Sequence, residues 1–283
     1  NNLFYRSILF ILFAVSLSVT ADAQYYLSGS NPAGTKWMQI SGKHYNIIYP
    51  RETDSIAREY LWLLESNYNA VNSGLLIAPK KLPVVLNPYT VNSNGMVTWT
   101  PKRMELYTQT PVNGYAQLWQ EQLALHEGRH VGQLTHFTRH FYKPLYWFLG
   151  EQGPGLGIAL HGARWLFEGD AVVAETALSR SGRGRTASFL EYYRAAFMNE
   201  DLRTWDRWRY GSYKNYAPDV YAFGYLILST QSFLAKDSVM SGEVLDYVSR
   251  YFYNPNNLND AFLRYGTTAY NKTLDVAVNT MGR

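Results

Sequence analysis

The chain has 283 residues, a formal net charge of +4 and no cysteine, which excludes disulfides and thiolate metal sites and leaves any metal to His, Asp or Glu. The charge is mild and the basic residues are scattered apart from Arg180-Ser181-Gly182-Arg183-Gly184-Arg185, so nucleic-acid binding is not expected and that cluster reads as a solvated loop.

The first residues read as an export signal. Arg6 precedes an apolar run from Ile8 to Val19, and Ala21-Asp22-Ala23 forms a small-x-small cleavage pattern before Gln24. The run holds about a dozen residues where a membrane span needs about 20. The expectation is a signal peptide over residues 1–23, no transmembrane segment in the mature chain, and a periplasmic, outer-membrane-associated or extracellular location. Asn1 and the ending Thr280-Met281-Gly282-Arg283 suggest a piece of a longer protein.

Residues 36–50 (KWMQISGKHYNIIYP) alternate and are rich in β-branched and aromatic types, which predicts a strand or hairpin. Ile56, Tyr60, Leu61, Leu64, Tyr68 and Val71 recur at helical steps and predict a helix ending near Gly74. Leu82 to Leu86 is a short apolar strand. Gly95 to Tyr107 is a strand pair or a long strand interrupted by Pro101. After Pro111 helices take over: 114–137, 164–179, 187–198, 218–234 and 242–251. The glycine-rich stretch Gly150 to Gly157 between the first two reads as a flexible connection. It lacks the Gly-Lys-Ser/Thr ending of a phosphate loop. The result is an α+β fold, with a small N-terminal mixed or antiparallel β layer carrying one helix (24–110) followed by a mainly helical subdomain (111–283), the two forming one catalytic domain.

Within the first of those helices lies LALHEGRHVGQL. On a helix His126 and His130 project from one stripe, one turn apart, so that both nitrogens can reach one zinc ion at about 2.0 to 2.1 Å. Glu127 lies beside the stripe, where it can hold a water without ligating the metal. Gly128 and Gly132 fall on the opposite face, where a closely packed neighbouring backbone is expected. Two residues compete as third ligand. His136 has the spacing of a His-Glu-x-x-His-x-x-Gly-x-x-His site, but Gln133 stands where the turn-making glycine belongs. Glu168 shares a face with Val172, Glu175 and Ser179 on a helix otherwise apolar around most of its circumference, and a buried carboxylate must meet a cation or lose its charge.

HEGRH followed by WLFEGDAVVAE resembles the gluzincin clan of zinc metallopeptidases, and within it the aminopeptidase N type. The resemblance implies Zn2+ held by His126, His130 and Glu168, Glu175 as an outer carboxylate bonded to a ligand histidine, and Glu127 as the general base acting on a zinc-activated water. The gap of 37 residues between His130 and Glu168 is longer than in the aminopeptidases and requires an inserted excursion. Tyr221-Ala222-Phe223-Gly224 is similar to the family's Tyr-x-x-Gly segment, which implies Tyr221 as oxyanion donor, with Tyr216 and Tyr225 as rivals. Arg103-Met104-Glu105-Leu106 matches only Met-Glu of the edge-strand Gly-x-Met-Glu-Asn pattern, so endopeptidase and aminopeptidase action stay open. The implied partner is a peptide or protein substrate lying along the strand at 95–100. The whole is also similar to peptidase-like regions that begin long exported bacterial proteins, some continuing into a β-propeller, and if this is such a protein the expectation is that a C-terminal propeller region is missing here. The competing expectation is a zinc-bearing but inactive binding or structural module of a larger envelope protein.

Overall fold

The computed structural model describes residues 31–235 and 240–281; the expected signal segment, residues 1–23, lies outside them. Residues 34–283 form one compact unit. Strands β1 (Trp37–Ser41) and β2 (Tyr45–Pro50) make the expected hairpin. Helix α1 (Asp54–Val71) then leads to β3 (Leu82–Asn87), and a second hairpin joins β4 (Gly95–Trp99) to β5 (Lys102–Tyr107). The five strands lie in the order β1-β2-β3-β5-β4. β2, β3 and β5 run parallel, with an antiparallel strand at each edge. A parallel pair needs a crossover, and α1 supplies it between β2 and β3.

Side chains alternate across a strand, and here one set is buried on every central strand. Ile47 pairs with Val84 and Val84 with Met104 across the register, and these residues are fully buried. Covering that face are Ala57, Tyr60, Leu64 and Tyr68 of α1 together with Leu123, Ala124 and Val131 of the next helix. Tyr60 and Leu64 each remove a large apolar surface, worth roughly 1.5–3 kcal/mol apiece for a fully buried side chain.

The expected helix at 114–137 is α2 (Trp119–Thr135), starting five residues late because Leu118 is extended and the Trp119 indole donates to Tyr107 O at 2.9 Å. That bond ties the start of α2 to the end of β5. The glycine-rich stretch is not a flexible connection. Gly150 turns the chain (φ 57) between α3 (Tyr142–Leu149) and α4 (Gln152–His161), which form the excursion between His130 and Glu168. Gly153 and Gly157 fall on one face of α4. A Cβ on the first would lie 2.8 Å from the Leu145 carbonyl carbon and on the second 2.7 Å from the Tyr142 ring. Glycine there permits close helix packing rather than mobility.

Then follow α5 (Arg164–Leu178), α6 (Glu191–Met198), α7 (Trp205–Tyr210), α8 (Val220–Ala235), α9 (Met240–Arg250), α10 (Asn257–Tyr265) and α11 (Tyr270–Met281). α6 starts later than expected because Ala187–Phe189 forms a separate 3-10 turn. The helical half packs around aromatic side chains, Trp165, Trp208, Tyr193, Phe223 and Phe262. No helix among the described residues is long and apolar enough to cross a membrane.

Candidate metal centre

Helix α2 is buried from Gln122 to Arg129 and again from Val131 to Thr135. It runs between the sheet and α5, and both its glycines sit against the end of α1. A Cβ on Gly128 would meet Val71 at 3.2 Å, and one on Gly132 would meet Asn72 Oδ1 at 2.3 Å. The close neighbours are thus side chains of that helix end rather than its backbone.

On the other face the two imidazoles converge. His126 Nε2 lies 3.2 Å from His130 Nε2, and each is 3.2 Å from Glu168 Oε2. The three atoms form a triangle, and this group could hold a metal ion. Donors around a tetrahedral zinc at 2.0–2.1 Å stand about 3.3–3.4 Å apart, so the donor set and its spacing fit that ion. His136 is the losing candidate. It lies in a 3-10 turn after α2, fully buried, with Nδ1 directed at the Gly132 and Gln133 carbonyls at 3.1 and 3.2 Å.

Each of the two histidines is held from behind. His126 Nδ1 lies 3.0 Å from Glu175 Oε2, two helical turns along α5 from Glu168. His130 Nδ1 lies 2.7 Å from Gln133 Oε1. The Gln133 amide nitrogen donates to Phe167 O at 3.0 Å and to Asp170 Oδ2 at 2.7 Å, which fixes the amide so that its oxygen accepts from His130. With the proton on Nδ1, the Nε2 lone pair of the neutral ring is free for a cation. Asp170 in turn takes Arg129 through Nε at 2.7 Å and Nη2 at 3.0 Å, and the Ser241 hydroxyl at 2.6 Å. Arg129 Nη1 donates to Val71 O at 2.9 Å and Ser73 O at 2.7 Å, satisfying carbonyls that the end of α1 leaves open.

The electrostatics favour positive charge at the centre. Burial would lower His130, yet Glu168 beside it raises its pKa to about 9. Burial would raise Glu168, but His130 and His126 hold it well below the usual carboxylate range. Burial likewise opposes the ionised form of Glu175, which Arg183 and His126 nonetheless pull down to about 2.

Glu127 lies on the β4 side of the histidine stripe. It is 4% exposed, burial raises its pKa, and its Oε2 has no hydrogen-bond partner within the protein. A Cβ on Gly95 would fall 2.7 Å from Glu127 Oε1 and 2.6 Å from Leu123 Cδ2, so glycine at the start of β4 is what lets this carboxylate lie against the strand. β4 is an edge strand, whereas Arg103-Met104-Glu105-Leu106 lies on β5, which is paired on both sides. The Met-Glu resemblance to an edge-strand pattern therefore fails on topology.

Asp219 Oδ1 accepts the backbone N–H groups of Tyr221 and Ala222 at 3.1 and 3.0 Å, starting α8 with Tyr221 in its first turn. Its ring lies 5.8 Å from that of His126. Burial, with Glu168 and Glu127 nearby, raises its pKa to about 12. The rivals are elsewhere. Tyr216 is exposed against Tyr192, and Tyr225 packs on Gly184 and Phe189.

Sequence reasoning missed Gln133 as a partner of His130, the Arg129–Asp170 pair, Gly95 and Arg183. The signal for the first was its position three residues after His130, and for Asp170 a charged residue on an otherwise apolar arc.

No family model matches the chain, and no curated protein matches it. Among solved structures it is similar to the crystal structure of an aminopeptidase N family protein from Idiomarina loihiensis, with a TM-score of 0.47 and 12% sequence identity over 86% of this chain and 46% of that one. The chain thus spans less than half of that protein's length.

Proposed function

We propose that the protein is a zinc-dependent metallopeptidase. The observation that carries this reading is the triangle of His126 Nε2, His130 Nε2 and Glu168 Oε2 at 3.2 Å, with a second carboxylate, Glu127, buried beside the two histidines with an unpartnered oxygen. Three protein ligands and a remaining position are the arrangement of catalytic rather than structural zinc sites. A zinc ion held there would supply Lewis acidity, polarising a carbonyl and lowering the pKa of water.

The chain's own groups account for the rest. Glu127, whose pKa is raised by burial, is suited to take the proton from the attacking water at Oε2 and to pass it to the leaving amine. Tyr221, kept protonated by its raised pKa, donates from its hydroxyl to the oxyanion as charge develops on it. Glu175 and Gln133 hold the two imidazoles in the tautomer that presents Nε2. As the last strand of the sheet among the described residues, β4 offers backbone groups with which an extended peptide can pair.

The test is the variant Glu127→Gln. It leaves all three ligands in place, so it should bind one equivalent of zinc while losing hydrolysis of a peptide panel. Full hydrolytic activity in that variant, or no zinc on the wild-type protein, would overturn the reading.

A further inference from the structure

The loop Arg180–Arg185 looks solvated in sequence, but its central arginine is not. Arg183 has 13% of its side chain exposed and faces Glu175, which has none. Its Nε donates to Glu175 Oε1 at 2.8 Å and its Nη2 to Glu175 Oε2 at 2.7 Å, a two-pronged contact reinforced by its backbone N–H at 3.3 Å from Oε1. The same Nη2 lies 2.8 Å from His126 Nδ1, and the two nitrogens form a close triangle with Glu175 Oε2 in which both N–H groups point at the one oxygen. The guanidinium carbon lies over the Tyr221 ring, 5.1 Å from its centroid. One side chain therefore touches the acid behind a ligand histidine, that histidine itself, and the tyrosine beside it.

The position is built. A Cβ on Gly182 would lie 2.6 Å from Thr176 Cα and 2.8 Å from Glu175 O, and one on Gly184 would lie 2.3 Å from the Tyr225 ring. Only glycines on either side let the loop sit this close to α5 and α8. Gly184 N–H donates to Thr176 Oγ1 at 3.1 Å and Arg185 Nε to Thr176 O at 3.2 Å, so the backbone is pinned on the far side of Arg183.

We infer that Arg183 is a positioning residue of the metal centre, acting through Glu175 to orient His126 and through its cation over the ring to hold Tyr221. The inference rests on the metal-centre reading above. The chemistry follows from the three contacts. Glu175 Oε2 has two donors in reach, His126 Nδ1–H and Arg183 Nη2–H. The rigid fork of an arginine fixes the carboxylate plane. With Oε2 aimed at Nδ1, His126 keeps its proton on that nitrogen and leaves Nε2 to a cation. Without the guanidinium, Glu175 loses both prongs of the fork and keeps only the backbone N–H of residue 183, 3.3 Å from Oε1, so its Oε2 is no longer aimed at His126.

The experiment measures zinc affinity by competition with a chelating dye on the wild-type chain and on Arg183→Ala, Arg183→Lys, Glu175→Gln and the Arg183→Ala/Glu175→Gln double variant. Thermal unfolding of each is recorded, and the cobalt(II)-loaded forms are compared by visible absorption. Removing a group behind a ligand histidine typically weakens metal binding 10–100-fold, and that range is expected for Arg183→Ala. Arg183→Lys keeps charge but not the fork and should fall between, with an altered cobalt spectrum. Because Arg183 acts through Glu175, the double variant should bind zinc no more weakly than Glu175→Gln alone. Wild-type affinity in Arg183→Ala, or in Arg183→Lys should the alanine variant not fold, overturns the inference, as do losses that simply multiply in the double variant. A wild-type chain that binds no zinc overturns the metal-centre reading itself, and this inference falls with it.

Discussion

Gly169 of α5 and Gly224 of α8 meet backbone to backbone. A Cβ on Gly169 would lie 2.2 Å from the Gly224 carbonyl carbon, and one on Gly224 would lie 1.9 Å from Trp165 O. Gly169 follows Glu168, and Gly224 lies one turn after Tyr221, so this crossing sets how near the tyrosine comes to the centre. The glycine of Tyr-x-x-Gly is thus a packing requirement. Gly224→Ala should cost about 3 kcal/mol or more, the upper end for overpacking against backbone that cannot yield. Gly34→Ala, where nothing lies within 4 Å of the added carbon, should be near neutral. Chemical unfolding of the two variants checks this, and equal stability would show that the helices can move apart at no cost.

Tyr221→Phe removes the hydroxyl and leaves the ring beneath Arg183. If the hydroxyl donates to the oxyanion, kcat should fall by roughly 10²–10³ with KM little changed, the effect of deleting one such donor. Tyr225→Phe, whose ring packs away from the centre against Phe189, should retain activity. Steady-state kinetics of the pair decides between them, and a larger loss at Tyr225 would reverse the assignment.

Gln133 accepts from His130 Nδ1 at 2.7 Å. Gln133→Ala should lower zinc affinity roughly 10–100-fold while its circular dichroism stays that of the wild type. Unaltered affinity would mean that packing alone orients His130.

The buried Arg129–Asp170 pair links α2, α5 and the end of α1. Arg129→Met leaves Asp170 charged and without its cation in the interior, and should destabilise by about 3–5 kcal/mol. Arg129→Met/Asp170→Leu, which removes both charges, should be markedly more stable than the single variant. Denaturant titrations measure both, and additive losses would contradict the coupling.

Glu65 accepts the backbone N–H groups of His44 at 2.7 Å and Tyr45 at 3.0 Å, with His44 Nδ1 at 2.8 Å. Partial burial opposes its ionisation, but these bonds hold its pKa below the ordinary 4.5. A depressed carboxyl stabilises the fold fully above its unfolded value, and that contribution is lost as the pH falls through the depressed one. At neutral pH Glu65→Gln should lose about 1.5–3 kcal/mol, the worth of hydrogen bonds to a charged group, and its stability should decline less steeply below pH 4.5. Parallel acid limbs for variant and wild type in pH-dependent unfolding would remove Glu65 from the account.

Much of this architecture was legible because it is local. A two-residue period marked β2, a short apolar run marked β3, and a period near 3.6 put His126 and His130 on one face of α2 and Glu168 and Glu175 on one face of α5. The chemistry of a buried acid face predicted that it must meet a cation. Whether Glu168 or His136 completes the triangle was decided by tertiary packing. It depends on two helices whose relevant residues are 38 positions apart, joined by a helical hairpin that composition alone presented as loose chain. The same holds for Arg183. Charge pattern records that an arginine is present but not which acid it faces, and only the close approach that Gly182 and Gly184 permit brings its guanidinium onto Glu175. Backbone geometry repeats over a few residues, so sequence reveals faces; which faces meet depends on contacts between segments far apart along the chain.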